Sequence, residues 1–427
     1  MKTNNSHILS YPILAGTIII ALGISSCESA SDDNTPTKLP EPLIIELTAS
    51  EANLTATANE FALKFFATVS ENTEANVENV VLSPFSLSMD LGMALNGAAG
   101  RTREAILETI GLESYANEEV NVYFRKIWEA LYKTDPSTAI AIANSVWYNK
   151  AKFTIKPEFV ATCQTWYDAV VKGMDYSLPS TITAINDWCE DNTRGLIKKF
   201  IENQSDLYDV NLLNALYFKG IWAEGFKFDG KKTATRSFRK ENGQTANVKM
   251  MFNEADRRYY ADEYLEYTVQ PYGNKAYSMG IVLPKENVPV NDVIAQLRTA
   301  GYWAKINEES YLCRVELGLP RFKVEYSNKK LRDVLVQMGM GIACSELAEF
   351  PDIAIDVNFY IANVTQKTYI KVNEEGTEAA AVTSVGTAVT SVLPSIQFYA
   401  DRPFLFVIQE NSTGTVLFIG KIGNPQE

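Results

Sequence analysis

Histidine, the side chain that most often moves protons in active sites, occurs once in the 427-residue sequence, as His7. His7 lies inside a predicted N-terminal leader, so the chain after that leader contains no imidazole. A Ser-His-Asp or Cys-His hydrolase, an HExxH metalloprotease and any imidazole metal site are therefore excluded. Enzymes that use Lys, Tyr or carboxylates remain open, but the sequence has no phosphate-binding loop and no dinucleotide fingerprint.

The most unusual stretch of side chains runs from Val372 to Pro394, VNEEGTEAAAVTSVGTAVTSVLP. Between Glu378 and Leu393 every side chain is small or β-branched, a composition that is typical of a flexible loop. The alternation of an extended chain would nevertheless place β-branched and small residues on one face. That face carries Thr377, Ala379, Ala381, Thr383, Val385, Thr387 and Val389. Because no proline would block sheet hydrogen bonds, the segment can be a loop and can also become a buried strand.

The overall composition is that of a folded globular protein, with 46% hydrophobic and 21% charged residues. Lys and Arg number 39 against 52 Asp and Glu, which gives a net charge of −13. This acidic balance disfavours nonspecific binding to nucleic acid or to an anionic membrane surface. Length alone would allow two or three domains.

The N-terminus has the form of an export signal. An apolar run from Ile13 to Ile24 is too short for a membrane span and fits the core of a signal peptide. It leads into Cys27 in a pattern that resembles a bacterial lipobox, so residues 1–26 are predicted to be removed and Cys27 to be lipidated. The alternative is an ordinary cysteine after a plain signal. Residues 27–48 are predicted to form a disordered tether, and the protein to be an exported, membrane-anchored bacterial lipoprotein of the outer membrane, periplasmic or at the cell surface.

Four further cysteines are widely spaced and form no CxxC pair. In an exported protein they could form two disulfides, although spacing alone cannot assign a pairing. The alternative, which we favour, is four free cysteines that pack as small hydrophobic side chains, because a chain of this length needs no covalent cross-links. The four are Cys163, Cys189, Cys313 and Cys344.

Local patterns predict helices in the first half of the chain and mostly strands in the second. Ala52–Val69 and Ser180–Ile201 carry apolar residues at helical spacing, and Gly195 is a candidate end for the second helix. The apolar run Leu212–Phe218 predicts a strand that is buried on both faces. Two apolar strands joined by Asn411–Gly414 predict a C-terminal hairpin. With no internal repeat and no linker, residues 49–427 are predicted to form a single α+β domain.

Five sequence motifs resemble those of the serpin family of protease inhibitors, over nearly the whole chain after the tether. Each alone is a weak signal, but five in the family's order are specific. They are LSPFS at 82–86, NALYFKGIW at 214–222, EEGTEAAA at 374–381, FYADRPFLFVI at 398–408 and LFIGKIGNP at 417–425. The resemblance implies the serpin fold, with three mostly antiparallel β-sheets (A, B and C), eight or nine helices and an exposed reactive loop at about 374–395. It implies an inhibitor rather than an enzyme, without cofactor, metal or catalytic residue.

The mechanism that the resemblance implies is trapping of a protease by its own substrate. A serine protease cleaves the loop and forms an acyl-enzyme, and the cleaved loop then inserts into sheet A and distorts the attached protease. Family spacing from Glu374 and from Phe398 gives Thr390-Ser391 as the cleaved bond, with Val389 as the alternative specificity residue. The implied hinge is formed by Glu374, Glu375, Gly376, Thr377, Ala379, Ala380 and Ala381.

The residue before the bond indicates the class of target. A small β-branched side chain at Thr390 does not satisfy a trypsin-like pocket built around an aspartate. The expected partner is therefore an elastase-like serine protease in a covalent complex with a monomeric inhibitor, with a papain-like cysteine protease as a further option.

The resemblance also implies a polar cluster beneath sheet A, the shutter, formed by Ser83, Ser86 and Asn214. Trp222 occupies the breach, at the end of the sheet where the hinge enters. The family often has a histidine in the strand that leads to the hinge, and here that position is Gln366. Glutamine both donates and accepts hydrogen bonds, so we expect it to close the shutter with an altered barrier to opening.

A non-inhibitory serpin-like surface binding protein, carrier or chaperone is the alternative function. Such relatives tend to have bulky, charged or proline residues in the hinge, which obstruct insertion. The hinge residues Ala379, Ala380, Ala381 and Val382 present no such obstacle. The sequence therefore favours inhibition.

Overall fold

The computed structural model of the chain describes residues 39–74, 76–355, 359–377 and 395–426. The α-helices of this part are α1 (Ala49–Glu71), α2 (Pro84–Leu95), α3 (Gly100–Ile110), α4 (Asn117–Leu131), α5 (Pro157–Tyr167), α6 (Ser180–Asn192), α7 (Val290–Leu297), α8 (Tyr302–Glu309) and α9 (Leu331–Leu335). The strands are β1 (Asn79–Leu82), β2 (Ala139–Asn149), β3 (Val170–Met174), β4 (Val210–Ile221), β5 (Ala234–Arg239), β6 (Thr245–Ala261), β7 (Leu265–Pro271), β8 (Tyr277–Pro284), β9 (Tyr311–Pro320), β10 (Phe322–Asn328), β11 (Asn363–Val372), β12 (Gly376–Thr377), β13 (Ile396–Tyr399), β14 (Phe404–Glu410) and β15 (Val416–Ile422).

These strands form two hydrogen-bonded sheets. The six-stranded sheet, sheet A, has the order β10-β11-β12-β4-β2-β3, and β11 also pairs directly with β4. The nine-stranded sheet has the order β1-β15-β14-β8-β7-β6-β9-β13, with β5 on β6. Because the 17-residue β6 pairs with β7 near its end and with β5 and β9 before it, the expected sheets B and C are joined in one network. The α+β class is confirmed.

The helix α2 is the packing centre of the molecule, since each of its residues is buried. It contacts β2 and β4 of sheet A and β15 of the other sheet, so it lies between the two. Its first helical residue is Pro84, whose fixed φ suits that position. A helix that is mostly apolar on all sides is expected where no face meets water.

The first helix is fixed at its start by its own sequence. The Thr48 hydroxyl accepts a hydrogen bond from the Glu51 backbone N–H at 3.2 Å, and the Glu51 carboxylate accepts one from the Thr48 N–H at 2.8 Å. This capping box satisfies two donors at the helix start. Ile45, in the last part of the predicted tether, is buried, and its N–H donates to Ser412 Oγ at 3.0 Å. That part of the tether therefore packs on the folded body.

The amphipathic segment Ser180–Ile201 is helical only in its first part. The helix ends at Asn192, and Arg194 and Gly195 follow with φ of 53° and 80°. The rest of the segment, Leu196–Ile201, is not helical but still buries apolar side chains against sheet A. Apolar periodicity therefore identified the buried residues, and Gly195, the candidate helix end, is one of two left-handed residues that reverse the chain just after the helix.

The four cysteines after the predicted tether are free thiols in the structure, as we expected. Cys163, Cys189 and Cys344 are buried, Cys313 is half-buried, and all four are unpaired. None of the helices in the described ranges is long and apolar enough to span a bilayer.

Candidate functional site

The predicted hinge enters sheet A as a two-residue strand. In β12, Gly376 and Thr377 pair antiparallel with Ile221 and Gly220 of β4, and Thr377 also faces Val372 of β11. β12 therefore separates the ends of two strands that elsewhere pair with each other. Below this point β11 and β4 are parallel neighbours over seven register pairs, from Asn363↔Asn211 to Tyr369↔Tyr217.

Thr377 turns its side chain toward the core. The residue is fully buried, and its hydroxyl lies 2.6 Å from the Tyr272 hydroxyl, within hydrogen-bond distance. Burial raises the pKa of Tyr272 well above its ordinary value, so the phenol keeps its proton and can donate. The face that holds Thr377 in the sheet is therefore the inward face.

The backbone conformation at position 376 and the close approach of β4 require a glycine there. Its φ of 153° lies in a region that favours glycine, and a Cβ at this position would lie 2.1 Å from the Gly220 carbonyl oxygen. A side chain here would push β12 away from β4. The glycine thus permits the close approach with which the hinge begins.

Glu374 anchors the start of the hinge. Its carboxylate accepts hydrogen bonds from Arg321 Nε at 2.8 Å, Arg321 Nη2 at 2.7 Å and Thr233 Oγ1 at 2.5 Å. Burial raises the pKa of Glu374, but the hydrogen bonds from Arg321 and Thr233 outweigh it and leave the pKa below the ordinary value. The hinge is therefore held by an ionised carboxylate.

Trp222 holds the other side of the entry point. Its backbone N–H donates to the Glu375 carbonyl at 2.8 Å, and its indole N–H donates to the Asn373 carbonyl at 2.9 Å. Its ring stacks on Tyr272 with 4.5 Å between centroids. Because Tyr272 also contacts Thr377, Trp222 and Tyr272 form one wall of the breach.

Gln366 lies at the centre of the predicted shutter and uses its amide in both directions. Its Oε1 accepts from the Ser83 N–H at 2.7 Å, while its Nε2 donates to the Ser83 carbonyl at 2.9 Å and to Asn214 Oδ1 at 3.1 Å. Gln366 and Asn214 are also register partners of β11 and β4. The side chain therefore bridges the two strands and ties both to the start of α2.

Asn214 extends the shutter toward β2. Its Nδ2 donates to the Ser86 hydroxyl and to Asn144 Oδ1, the latter at 2.5 Å. Ser86 Oγ in turn donates to Asn144 Oδ1 at 3.1 Å, and all three residues are buried. Ser83, Ser86, Asn214 and Gln366 are thus brought together as one hydrogen-bonded group.

The site residues that the sequence analysis did not predict include Asn144, Tyr272 and Arg321. Asn144 is a polar residue inside the apolar strand IAIANSVWY, and that interruption was a usable signal. Tyr272 and Arg321 carry no local signal, because each meets the hinge through contacts more than 50 residues apart in sequence.

Several predicted site residues lie outside the described part of the chain. They are Cys27, Ala379, Ala380, Ala381, Val389, Thr390 and Ser391. The described boundaries of the predicted loop are Thr377 in β12 and Ser395, immediately before β13.

Comparison with known proteins identifies the family. Residues 56–425 match the family described as "Serpin (serine protease inhibitor)". A serine protease inhibitor from Cyanea capillata is 32% identical over 378 residues, covering 87% of this chain and 98% of that protein. The human leukocyte elastase inhibitor is 31% identical, covering 87% of this chain and 99% of that protein.

Solved structures agree with the sequence relatives. The thermophilic serpin tengpin in its native state superposes with a TM-score of 0.80 at 28% identity, covering 91% of this chain and 97% of that one. Human thyroxine-binding globulin also gives a TM-score of 0.80, at 27% identity, covering 89% of this chain and 100% of that one. These matches agree with the hinge between β11 and β4 and with the shutter. The chain therefore belongs to the serpin family, whose named serine protease inhibitors are inhibitors rather than enzymes.

Proposed function

We propose that the protein inhibits elastase-like serine proteases by trapping them after cleavage at Thr390-Ser391. The main support for this proposal is the position of β12. Its two residues form the beginning of an additional antiparallel strand between β11 and β4. A chain that continued in this direction would enter sheet A as a complete strand. The direct pairing of β11 with β4 is what such a strand would replace.

The register of β12 supports the length of the predicted loop. Thr377 pairs with Gly220, so each following residue would pair with the preceding residue of β4. Continued in this register, Thr387 would reach Val210, the first residue of β4. Insertion of residues 378–387 would therefore fill the strand, and a bond at Thr390-Ser391 would lie just beyond its end.

The side chains of the loop suit such an insertion. Thr377 faces inward, so alternation would turn Ala379, Ala381, Thr383, Val385 and Thr387 inward as well. All five are small or β-branched and uncharged, and burying them leaves no ionised group in the core. The charged or proline residues that would obstruct insertion in a non-inhibitory relative do not occur from Ala379 to Val392.

The target class follows from Thr390, and the leukocyte elastase inhibitors among the relatives support it. Incubation with a pancreatic-elastase-type enzyme should give a denaturation-resistant complex on a gel.

Thr390→Arg should transfer complex formation to a trypsin-like protease, because a guanidinium pairs with the aspartate of that protease's specificity pocket. Ala381→Arg is the matched control, since it leaves residues 382–391 unchanged but places a charge on the inward face; it should be cleaved without a complex. Cleavage of the wild type without any complex would refute trapping.

We further propose that the inhibitor is an exported bacterial lipoprotein anchored through Cys27, at the outer membrane and facing the periplasm or the cell surface. The apolar run before Cys27 and the polar, proline-containing residues after it support this location. In a bacterial host, the wild type should fractionate with membranes and carry a lipid-modified N-terminal cysteine in mass spectra. Cys27→Ser should remove both, and an unmodified wild-type Cys27 would contradict the anchor.

A further inference from the structure

Asp90 is a buried acid that the trapping mechanism does not use. The residue is fully buried within α2, and neither carboxyl oxygen has a hydrogen-bond partner among the described residues. An ionised carboxylate in such a place would lose its hydration and gain nothing in return. The site therefore favours the neutral acid.

Other buried acids of the chain are placed differently. Asp135 accepts hydrogen bonds from the Ser137 N–H, the Ser137 hydroxyl and the Thr138 hydroxyl. Glu410 likewise accepts from two backbone N–H groups and the Thr413 hydroxyl. Both carboxylates are satisfied by turns that their own sequence forms. Burial without donors is therefore particular to Asp90 among these three acids.

Asp90 lies next to the shutter. It follows Ser86 by one helical turn, so the two residues share a face of α2. Met89, beside it, contacts the shutter through its sulfur, 3.8 Å from Asn144 Nδ2. Because α2 packs against β4 and β2, a change at Asp90 acts on β4, which flanks the insertion site, and on β2 beside it.

The groups around Asp90 do not offset a negative charge. On α5, the Cys163 thiol is close enough to Asp90 to interact with it electrostatically, and burial raises the pKa of this thiol to about 12, so it stays neutral. Tyr167, also on α5, lies against Gly92 of α2, and its hydroxyl donates a hydrogen bond to Asn121 Oδ1 of α4 at 2.5 Å. β2 and β4 face α2 with the neutral amides of Asn144 and Asn214, which bind the Ser86 hydroxyl one turn before Asp90. Among the described residues, none of the lysines or arginines forms an ion pair with Asp90.

Burial raises the pKa of Asp90 well above its ordinary value of 3.8. A carboxyl whose folded-state pKa is raised binds its proton more tightly in the folded chain than in the unfolded chain. Its contribution to stability is therefore present at low pH and is lost progressively as the pH rises from 3.8 to the folded-state pKa.

We propose that Asp90 is a pH-sensitive element beneath the shutter: it is held as a neutral acid in the native state, and its ionisation loosens the contact of α2 with sheet A. The physical cause is the demand of a carboxylate for water, which can be met only if α2 separates from its neighbours. Native sheet A then opens more readily as the pH rises. This inference concerns the folded state and does not depend on the identity of the target protease.

The test compares the wild type with Asp90→Asn, which keeps the shape and cannot ionise. We expect the rate of native-state loss at constant temperature to increase with pH in the wild type by up to about tenfold per pH unit, the limit for one proton. Asp90→Asn should lack this increase. The matched control Asp191→Asn removes an exposed charge from α6 and should behave like the wild type. Equal pH dependence in wild type and Asp90→Asn would overturn the proposal.

A second measurement does not depend on how stable the variant is. Infrared difference spectra of wild type minus Asp90→Asn at neutral pH should contain the carbonyl band of a protonated carboxylic acid, and this band should disappear as the pH rises. Asp90→Leu serves as the subtraction partner if the asparagine variant does not fold. A carboxylate band at neutral pH in place of the protonated band would show that Asp90 is ionised and would refute the proposal.

Discussion

At the residue scale, the amide of Gln366 joins three elements. It contacts Ser83 at the start of α2 and Asn214 on β4, while belonging itself to β11. An amide is suited to this position because it donates and accepts at once without carrying a charge into the core. The site therefore stays closed without the histidine that the family often has there, and its hydrogen bonds do not titrate.

Removing this amide should weaken the closed sheet. Gln366→Ala leaves the Ser83 N–H and Asn214 Oδ1 without this partner, which should cost about 2–4 kcal/mol of native-state stability. We expect latent or polymeric protein to accumulate on mild heating, as measured by native gels and size-exclusion chromatography.

Thr365→Ala is the control for that experiment. Thr365 neighbours Gln366 and is also buried, but its hydroxyl accepts its hydrogen bond from Asn363, on the same strand, rather than from another element of the described chain. The Thr365→Ala variant should therefore remain monomeric and native under the conditions in which Gln366→Ala becomes latent or polymeric. Unchanged inhibition and no latent or polymeric species in Gln366→Ala would remove the proposed role of this side chain.

Only some residues of the shutter could be predicted from the sequence. Gln366, Asn214, Ser83 and Ser86 were placed by family spacing, and the structure brings them into one hydrogen-bonded group. Asn144, which completes that group, was missed because its partners are 58 and 70 residues away. A side chain's polarity can be read from sequence, but the partner that satisfies it is decided by the fold.

At the element scale, β12 is a strand of two residues kept in place by its flanks. Glu374 and Arg321 hold its start, while Tyr272 holds its last residue. Such a short element has little stability of its own. The charged contact therefore decides how firmly the hinge stays in the sheet.

This contact predicts an acid-sensitive hinge. The pKa of Glu374 is lowered in the folded chain, so its contribution is present above the ordinary value of 4.5 and is lost as the pH falls through the folded-state pKa. Glu374→Gln should lose about 1–2 kcal/mol at neutral pH and show a smaller loss on acidification. Hydrogen exchange of the Trp222 amide, which donates to the Glu375 carbonyl, measures this directly. Exchange at the same rate in both proteins at neutral pH would contradict the anchoring role.

The existence of helices and strands was easier to predict than the residues at which they end or the strands with which they pair. The predicted strand Leu212–Phe218 lies within β4, and the C-terminal hairpin is β14 and β15. The continuity of β6 through both parts of the nine-stranded sheet was not predicted. Its strand signal is local, whereas its partners β5, β7 and β9 are chosen by packing at long range.

At the scale of the whole molecule, the proposed trapping requires that this fold does not have its lowest free energy while the loop is intact. β11 and β4 pair with each other in parallel, although β12 already marks the place of a strand between them. An inserted strand would form hydrogen bonds on both sides and bury a row of small or β-branched, uncharged side chains. The intact chain would then be kept from that state by a kinetic barrier.

The most direct test is the heat stability of the protein before and after its loop is cut. A protease that cleaves between residues 387 and 391 without being trapped should leave a two-chain product that remains associated. About ten further strand hydrogen bonds of about 1 kcal/mol each should raise the temperature of unfolding by roughly 10 °C or more. Ala381→Arg, cut at the same bond, should gain much less. An unfolding temperature that is the same for the intact and the cleaved wild type would contradict insertion, and with it the proposed mechanism of inhibition.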